Sequence, residues 1–195
     1  MDTGKPIETV APGSAGYPGV AEGQSAALSR ESIGLRTNQV EMTVLMTPDM
    51  ANFSGNVHGG AILKLLDQVA YACAARYAGC YCVTLSVDQV TFLQPVHVGE
   101  LVTFLASVNH TGRTSMEVGI KVVTEDIQLG TLRHSNSCFF TMVAMGPDRR
   151  PMAVPPFQPT TAEERRRFKA AAARRTLRAE MARRLRAVAE EAGDD

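Results

Sequence analysis

The chain is 195 residues long, enough for one ordinary domain with extensions. Twenty Lys and Arg balance twenty Asp and Glu, and 45% of the residues are hydrophobic, so charge offers no pull toward nucleic acid or a membrane surface. No apolar run is long enough to span a bilayer, and the first residues, with Asp2 and Glu8 and no apolar segment, fit neither a secretory signal nor a mitochondrial presequence; a cytoplasmic location is expected.

Residues 1–37 are rich in Gly, Pro, Ser and Ala without periodicity and read as a flexible arm. Gln39 to Met46 alternates as a strand does, and Pro48-Asp49 turns the chain. The next stretch, Asn52 to Gly79, starts as a polar, glycine-bearing loop and becomes a long helix, apolar around most of its circumference and therefore expected to be buried. Gly79 is a plausible C-cap. Cys80 to Phe92 reads as one long strand, bent near Asp88. Leu101–His110, Thr114–Thr124 and Thr131–Met145 alternate around short turns at Thr111-Gly112-Arg113 and Asp126–Gly130, which makes them antiparallel. Residues 38–150 thus form an α+β domain, with one central helix wrapped by an antiparallel sheet. Residues 151–195 are a Pro-rich linker and a charged helix. Both Thr160-x-x-Glu163 and Thr161-x-x-Glu164 fit a capping box at the start of that helix. Phe168, Ala172, Met181, Leu185 and Val188 form a thin apolar stripe that would dock it, with its charges facing water.

Several kinds of chemistry lack their signatures. There is no G-x-S-x-G elbow, no phosphate loop, no dinucleotide fingerprint and no H-E-x-x-H spacing. Cys73, Cys80, Cys82 and Cys138 lack zinc-ligand spacing and read as buried free thiols; no metal site and no cofactor are expected. What remains is Asn52, Gly55, Asn56, His58, Gly59 and Gly60 immediately before a helix N-terminus. The first amides of a helix lack partners and carry partial positive charge, so they can hold an anion or an oxyanion. The glycines equally suit mere close packing. Lys64, Asp67, Gln68 and Tyr71 share one side of the helix, either as a solvated or subunit-facing stripe or as part of a site. Gly60 and Asp67 stand ~10 Å apart along the axis, so if they act on one carbonyl, two antiparallel helices from two subunits are the simpler geometry.

The loop and helix N52-F-S-G-N-V-H-G-G-A-I-L-K-L-L-D67, with T84-L-S-V-D-Q-V-T-F92, P95-V-H-V-G-E100 and G112-R-T-S-M-E-V118, resemble the hotdog-fold acyl-CoA thioesterases, specifically the cytosolic long-chain acyl-CoA hydrolases and their bacterial relatives. The resemblance spans about residues 39–150. It implies a hotdog fold, a homo-oligomer assembled as a trimer of dimers, and hydrolysis of acyl-CoA to a free acid and CoA. It implies a composite site across two chains, with Asn52 and Asp67 catalytic and the Gly60 amide polarising the thioester carbonyl. His58 and Gly59 would flank the thioester, and Arg113, Thr114 and Ser115 would lie near the CoA phosphates. A non-catalytic acyl-CoA binder on the same fold is the alternative; it needs no carboxylate on the helix. A hydratase would instead want a catalytic histidine, for which His58 is the candidate nearest the helix start.

Overall fold

The computed structural model describes residues 37–191; the expected arm falls almost wholly outside them. Strands β1 (Gln39–Leu45), β2 (Tyr81–Val87), β3 (Leu101–Thr111), β4 (Ser115–Asp126) and β5 (Thr131–Met145) form one antiparallel sheet in the order β1-β3-β4-β5-β2. Helix α1 (Gly59–Ala78) touches all five strands, so the sheet curls around it as a hotdog fold requires. Helix α2 (Ala162–Glu191) follows a linker without regular structure.

The core is the period-2 pattern of the strands meeting the period-3.6 pattern of α1. Val102, Phe104, Ala106 and Val108 of β3, Met116, Val118, Ile120 and Val122 of β4, and Cys138, Phe140, Met142 and Ala144 of β5 are buried. The register sets Phe104 opposite Val122, Ile120 opposite Cys138 and Val118 opposite Phe140, so the apolar faces coincide across the sheet. Onto them α1 sets Ile62, Leu66, Val69, Ala70, Cys73 and Ala74. Each large side chain so buried contributes roughly 1.5–3 kcal/mol. Gly79 ends α1 in the left-handed region at φ 69°, its N–H bonded to the Ala75 carbonyl.

Three sequence expectations change. First, α1 is not buried all round: Gly60, Leu63, Lys64, Asp67, Gln68 and Tyr71 form an open face. The curled sheet covers one side of a helix, and alanines supply much of the apolar count. Second, β2 ends at Val87, after a register shift between Thr84 and Ser86. Asp88 still donates its N–H to the Phe139 carbonyl, but its carboxylate meets Arg178 of α2 at 2.7 Å, and the chain beyond leaves the sheet. Third, only the start of the apolar stripe docks α2, with Ala171 buried and the Phe168 ring 4.7 Å from that of His110, and charges do the rest. Arg174 and Arg178 reach Glu117, which is 4% exposed, at 2.6 and 3.1 Å, while Leu177, Met181, Leu185 and Val188 face outward. The Arg174 guanidinium also lies 3.5 Å over the Phe139 ring. Of the two capping frames the second is realised: Thr161 Oγ1 accepts from the Glu164 N–H, and Glu164 accepts from the Thr161 N–H, both at 3.1 Å. Glu163 pairs instead with Arg167.

Candidate active site

The loop before α1 is a small closed structure. Ala51 bridges Val57, and Asn56 bridges His97. Asn52 Oδ1 accepts three bonds, from Ser54 N at 2.9 Å, Ser54 Oγ at 2.8 Å and Asn56 N at 3.2 Å. This is an Asx-type turn, and Gly55 at φ +83° allows it. The Asn56 carboxamide oxygen is in turn 2.9 Å from His97 Nδ1. The Asn52 oxygen is therefore committed to the loop, and its NH2 group is bonded to no described atom.

At the helix start His58 is the N-cap. Its Nδ1 accepts from the Gly60 N–H at 2.8 Å, leaving the ring proton on Nε2. A Cβ at Gly60 would stand 3.0 Å from that nitrogen, so glycine leaves room for the ring to close over the amide. The Gly60 amide is thus engaged within the protomer. The Gly59 amide, first of the helix, has no partner among the described residues.

Two turns along the open face, Asp67 Oδ1 accepts from Thr84 Oγ1 at 2.6 Å. Thr84 also lies 3.5 Å from Met142 Sδ, which fixes the hydroxyl between strand and helix. Asp67 itself is exposed. Sequence reasoning missed Thr84. It stood in a segment read as a strand and as part of the family resemblance but given no role of its own, and a threonine hydroxyl announces no partner until the sheet brings it beneath the helix.

The Gly112–Ser115 turn is a separate region. Gly112 donates to the Ser115 carbonyl at 2.7 Å, and Arg113 is exposed, its carbonyl accepting from Val154 N. Gly112 and Ser115 line a cleft against α2, while the side chains of Arg113 and Thr114 do not. The structure thus brings Asn52, His58, Gly59 and Gly60 together at one end of α1, sets Asp67 with Thr84 further along, and keeps the turn apart.

The cysteines are free. Burial pushes the thiols of Cys73, Cys82 and Cys138 up to about 12, so they stay protonated and inert. Among the described residues no group of three or more His, Cys, Asp or Glu is placed to hold a metal ion, and no helix is long and apolar enough to cross a membrane.

The thioesterase superfamily model matches residues 54–131, which run from the loop before α1 to the start of β5. The curled sheet, the central helix and this match define the class: the chain belongs to the thioesterase superfamily, with its hotdog fold. Its nearer likeness is to acyl-CoA hydrolases. A crystal structure of an apo-hexameric acyl-CoA thioesterase is 35% identical with a TM-score of 0.71, over 74% of this chain and 92% of that one. The acyl-CoA hydrolase of Staphylococcus aureus, solved with butyryl-CoA and CoA, is 26% identical with a TM-score of 0.69, over 76% and 90%. That enzyme was also solved as alanine variants of an asparagine, of an aspartate fifteen residues after it, and of a threonine seventeen residues further on. Protein VdlD of Helicobacter pylori is 50% identical over 137 residues, covering 70% of this chain and 78% of that protein.

Proposed function

We infer that this protein hydrolyses the thioester of acyl-CoA, releasing a free acid and CoA, at sites shared between two subunits. The observation that carries the reading is the Asp67 carboxylate, exposed on the open face of α1 and held by Thr84 at 2.6 Å. A binder has no use for a carboxylate beside an uncharged thioester; a hydrolase does. Asp67 serves as general base on water or as nucleophile, and general base help is typically worth 10²–10⁴-fold. The Asn52 NH2 group orients water or carbonyl, and the α1 N-terminus stabilises the oxyanion. The carbonyl oxygen uses the Gly59 amide or takes the place of His58 Nδ1 on the Gly60 amide. The spacing Asn52–Asp67–Thr84 is the same fifteen and seventeen residues that separate the three substituted positions of the S. aureus hydrolase, which supports all three assignments. No metal or redox group enters this scheme.

A partner subunit is supported by what one protomer leaves uncovered. The open face of α1 carries Leu63 and Tyr71, β2 is an edge strand presenting Tyr81 and Leu85, and the Phe53 ring stands fully clear beside Asn52. Two relatives solved as hexamers support a higher homo-oligomer, for which a trimer of dimers is the arrangement we favour. The test is release of CoA thiol from acyl-CoA by the full-length protein. Asp67→Ala should lose at least about 100-fold in kcat with its thermal transition intact. Near-normal turnover by this variant would refute the assignment.

A further inference from the structure

Asn52 can orient a water or a carbonyl only if the loop that carries it holds still. Among the described residues, one side chain from outside bonds to residues 51–57, and it is His97. Its Nδ1 lies 2.9 Å from Asn56 Oδ1. A carboxamide oxygen only accepts, so Nδ1 carries the proton. Asn56 is also the residue that seats Asn52. The Asn56 N–H donates to Asn52 Oδ1 at 3.2 Å, and the Asn56 carbonyl accepts from the Asn52 N–H at 2.6 Å. With Oδ1 turned onto the loop, the NH2 group is the end of the Asn52 side chain that remains for a substrate.

His97 is exposed, yet its backbone is anchored. Its N–H donates to Glu100 Oε2 at 2.8 Å, and its carbonyl accepts from the Glu100 N–H at 3.2 Å. Beside it, the Val96 carbonyl accepts from the Val57 N–H at 2.8 Å. Glu100 is 7% exposed, and both its oxygens lie 2.6 Å from Arg133 Nη2. The same guanidinium donates to the Pro95 carbonyl at 3.0 Å and, through Nε, to Thr124 Oγ1 at 2.9 Å. An ion pair in such a place contributes little net stability, because desolvation offsets attraction. What it does give is a definite position. It ties residues 95–100 to β4 and β5, so the imidazole is presented to Asn56 from a fixed base.

We propose that His97 is a positioning residue for hydrolysis: it holds Asn56, and through Asn56 the Asn52 carboxamide, while Glu100 and Arg133 fix His97 in turn. The proposal rests on the acyl-CoA reading for the reaction it serves; the hold on the loop is a property of the chain itself. His97 moves no proton in this role. Its bond to Asn56 uses the Nδ1–H, which the neutral tautomer and the imidazolium both carry.

Three substitutions separate the possibilities. His97→Asn keeps an N–H close to where Nδ1 stands, His97→Gln moves it out toward the place of Nε2, and His97→Ala removes it. On acyl-CoA, kcat should fall at least about tenfold in His97→Ala and His97→Gln, with KM within threefold of wild type. His97→Asn should recover kcat to within threefold and keep the wild-type pH profile. In hydrogen exchange, the Asn52 and Asn56 amides should open at least about tenfold more readily in the Ala and Gln variants than in wild type or His97→Asn, while the amides of β4 stay unchanged. Turnover by His97→Ala within twofold of wild type, equal activity of the Asn and Gln variants, an altered pH profile in His97→Asn, or unchanged exchange in His97→Ala would each overturn the proposal. If wild type hydrolyses no acyl-CoA, the functional reading fails, and exchange at Asn52 and Asn56 still decides whether His97 holds the loop.

Discussion

The Asp67 carboxylate is held by one hydroxyl. Thr84 fixes Oδ1 and leaves Oδ2 to face whatever lies over the open face of α1. Thr84→Val keeps the shape and removes the bond; kcat should fall about tenfold with little change in KM, and Thr84→Ser should restore most of it. Glu164 gives a second residue-scale prediction, this time for stability. Burial raises its carboxyl pKa, but bonds from the Thr161 and Thr160 amides, the Thr160 hydroxyl and the Asn38 side chain outweigh burial and hold it at about 2, against an ordinary value of 4.5. A carboxyl depressed on folding contributes its stability above 4.5 and loses it as pH falls from there toward 2. Acid denaturation of Glu164→Gln followed by circular dichroism should therefore show a flatter stability slope between pH 5 and 2 than wild type. At this scale the sequence revealed residue types well and partners poorly. The Thr161–Glu164 cap was legible, as one of two frames, because its spacing is local, and Asn52 and Asp67 stood out through the resemblance of the loop and helix that carry them. The Thr84–Asp67 and Asn56–His97 bonds were not, because each joins segments that only the sheet brings together.

Among the elements, the strands and α1 were readable from periodicity, and α2 was readable as a helix but not in its manner of docking. A pattern search puts apolar residues inward, yet beyond Phe168 and Ala171 the sheet-facing side of α2 carries arginines. The reason lies on the sheet: Ser107, Asn109 and Glu117 occupy the outer face of β3 and β4 under the helix, so the sheet there demands charge and hydrogen bonds. Glu117→Ala would strip the shared acceptor from Arg174 and Arg178. The loss expected for breaking such a partly buried network is about 3 kcal/mol, and Met181→Ala, on the exposed half of the helix, should cost under about 0.5 kcal/mol in the protomer. Chemical denaturation of the two variants checks the contrast.

For the whole molecule the central question is whether one chain suffices for activity. Asn52→Ala and Asp67→Ala subunits, each inactive alone, can be co-expressed with different tags. In a mixed dimer with composite sites, one site carries both changes and the other neither, so about half of wild-type activity should return per mixed dimer. Verified mixed dimers as inactive as their parents would place the whole site within one chain. The sequence made this arrangement arguable because the rise of a helix sets the distance from Gly60 to Asp67. It could not reveal that the Gly60 amide is already capped by His58, since a histidine before two glycines does not say which way its ring turns.

The strand order also dictates a sequence of events in time. β3, β4 and β5 pair with their immediate neighbours, closing only short turns. β1 reaches β3 across a segment that includes all of α1 and β2, and β2 reaches β5 across a segment that includes β3 and β4. Closing such loops costs entropy before any contact repays it, so the β3–β4–β5 meander can assemble first, with α1 and the two outer strands added later. Slow-folding edges are also the first to open. In native-state hydrogen exchange of a dissociated protomer the amides of β2 should exchange through smaller openings than those of β4, and the strand that carries Thr84 would then be among the least protected of the sheet. The grip on Asp67 would be among the last features to form on refolding, so recovery of hydrolysis should lag behind recovery of the sheet's circular dichroism.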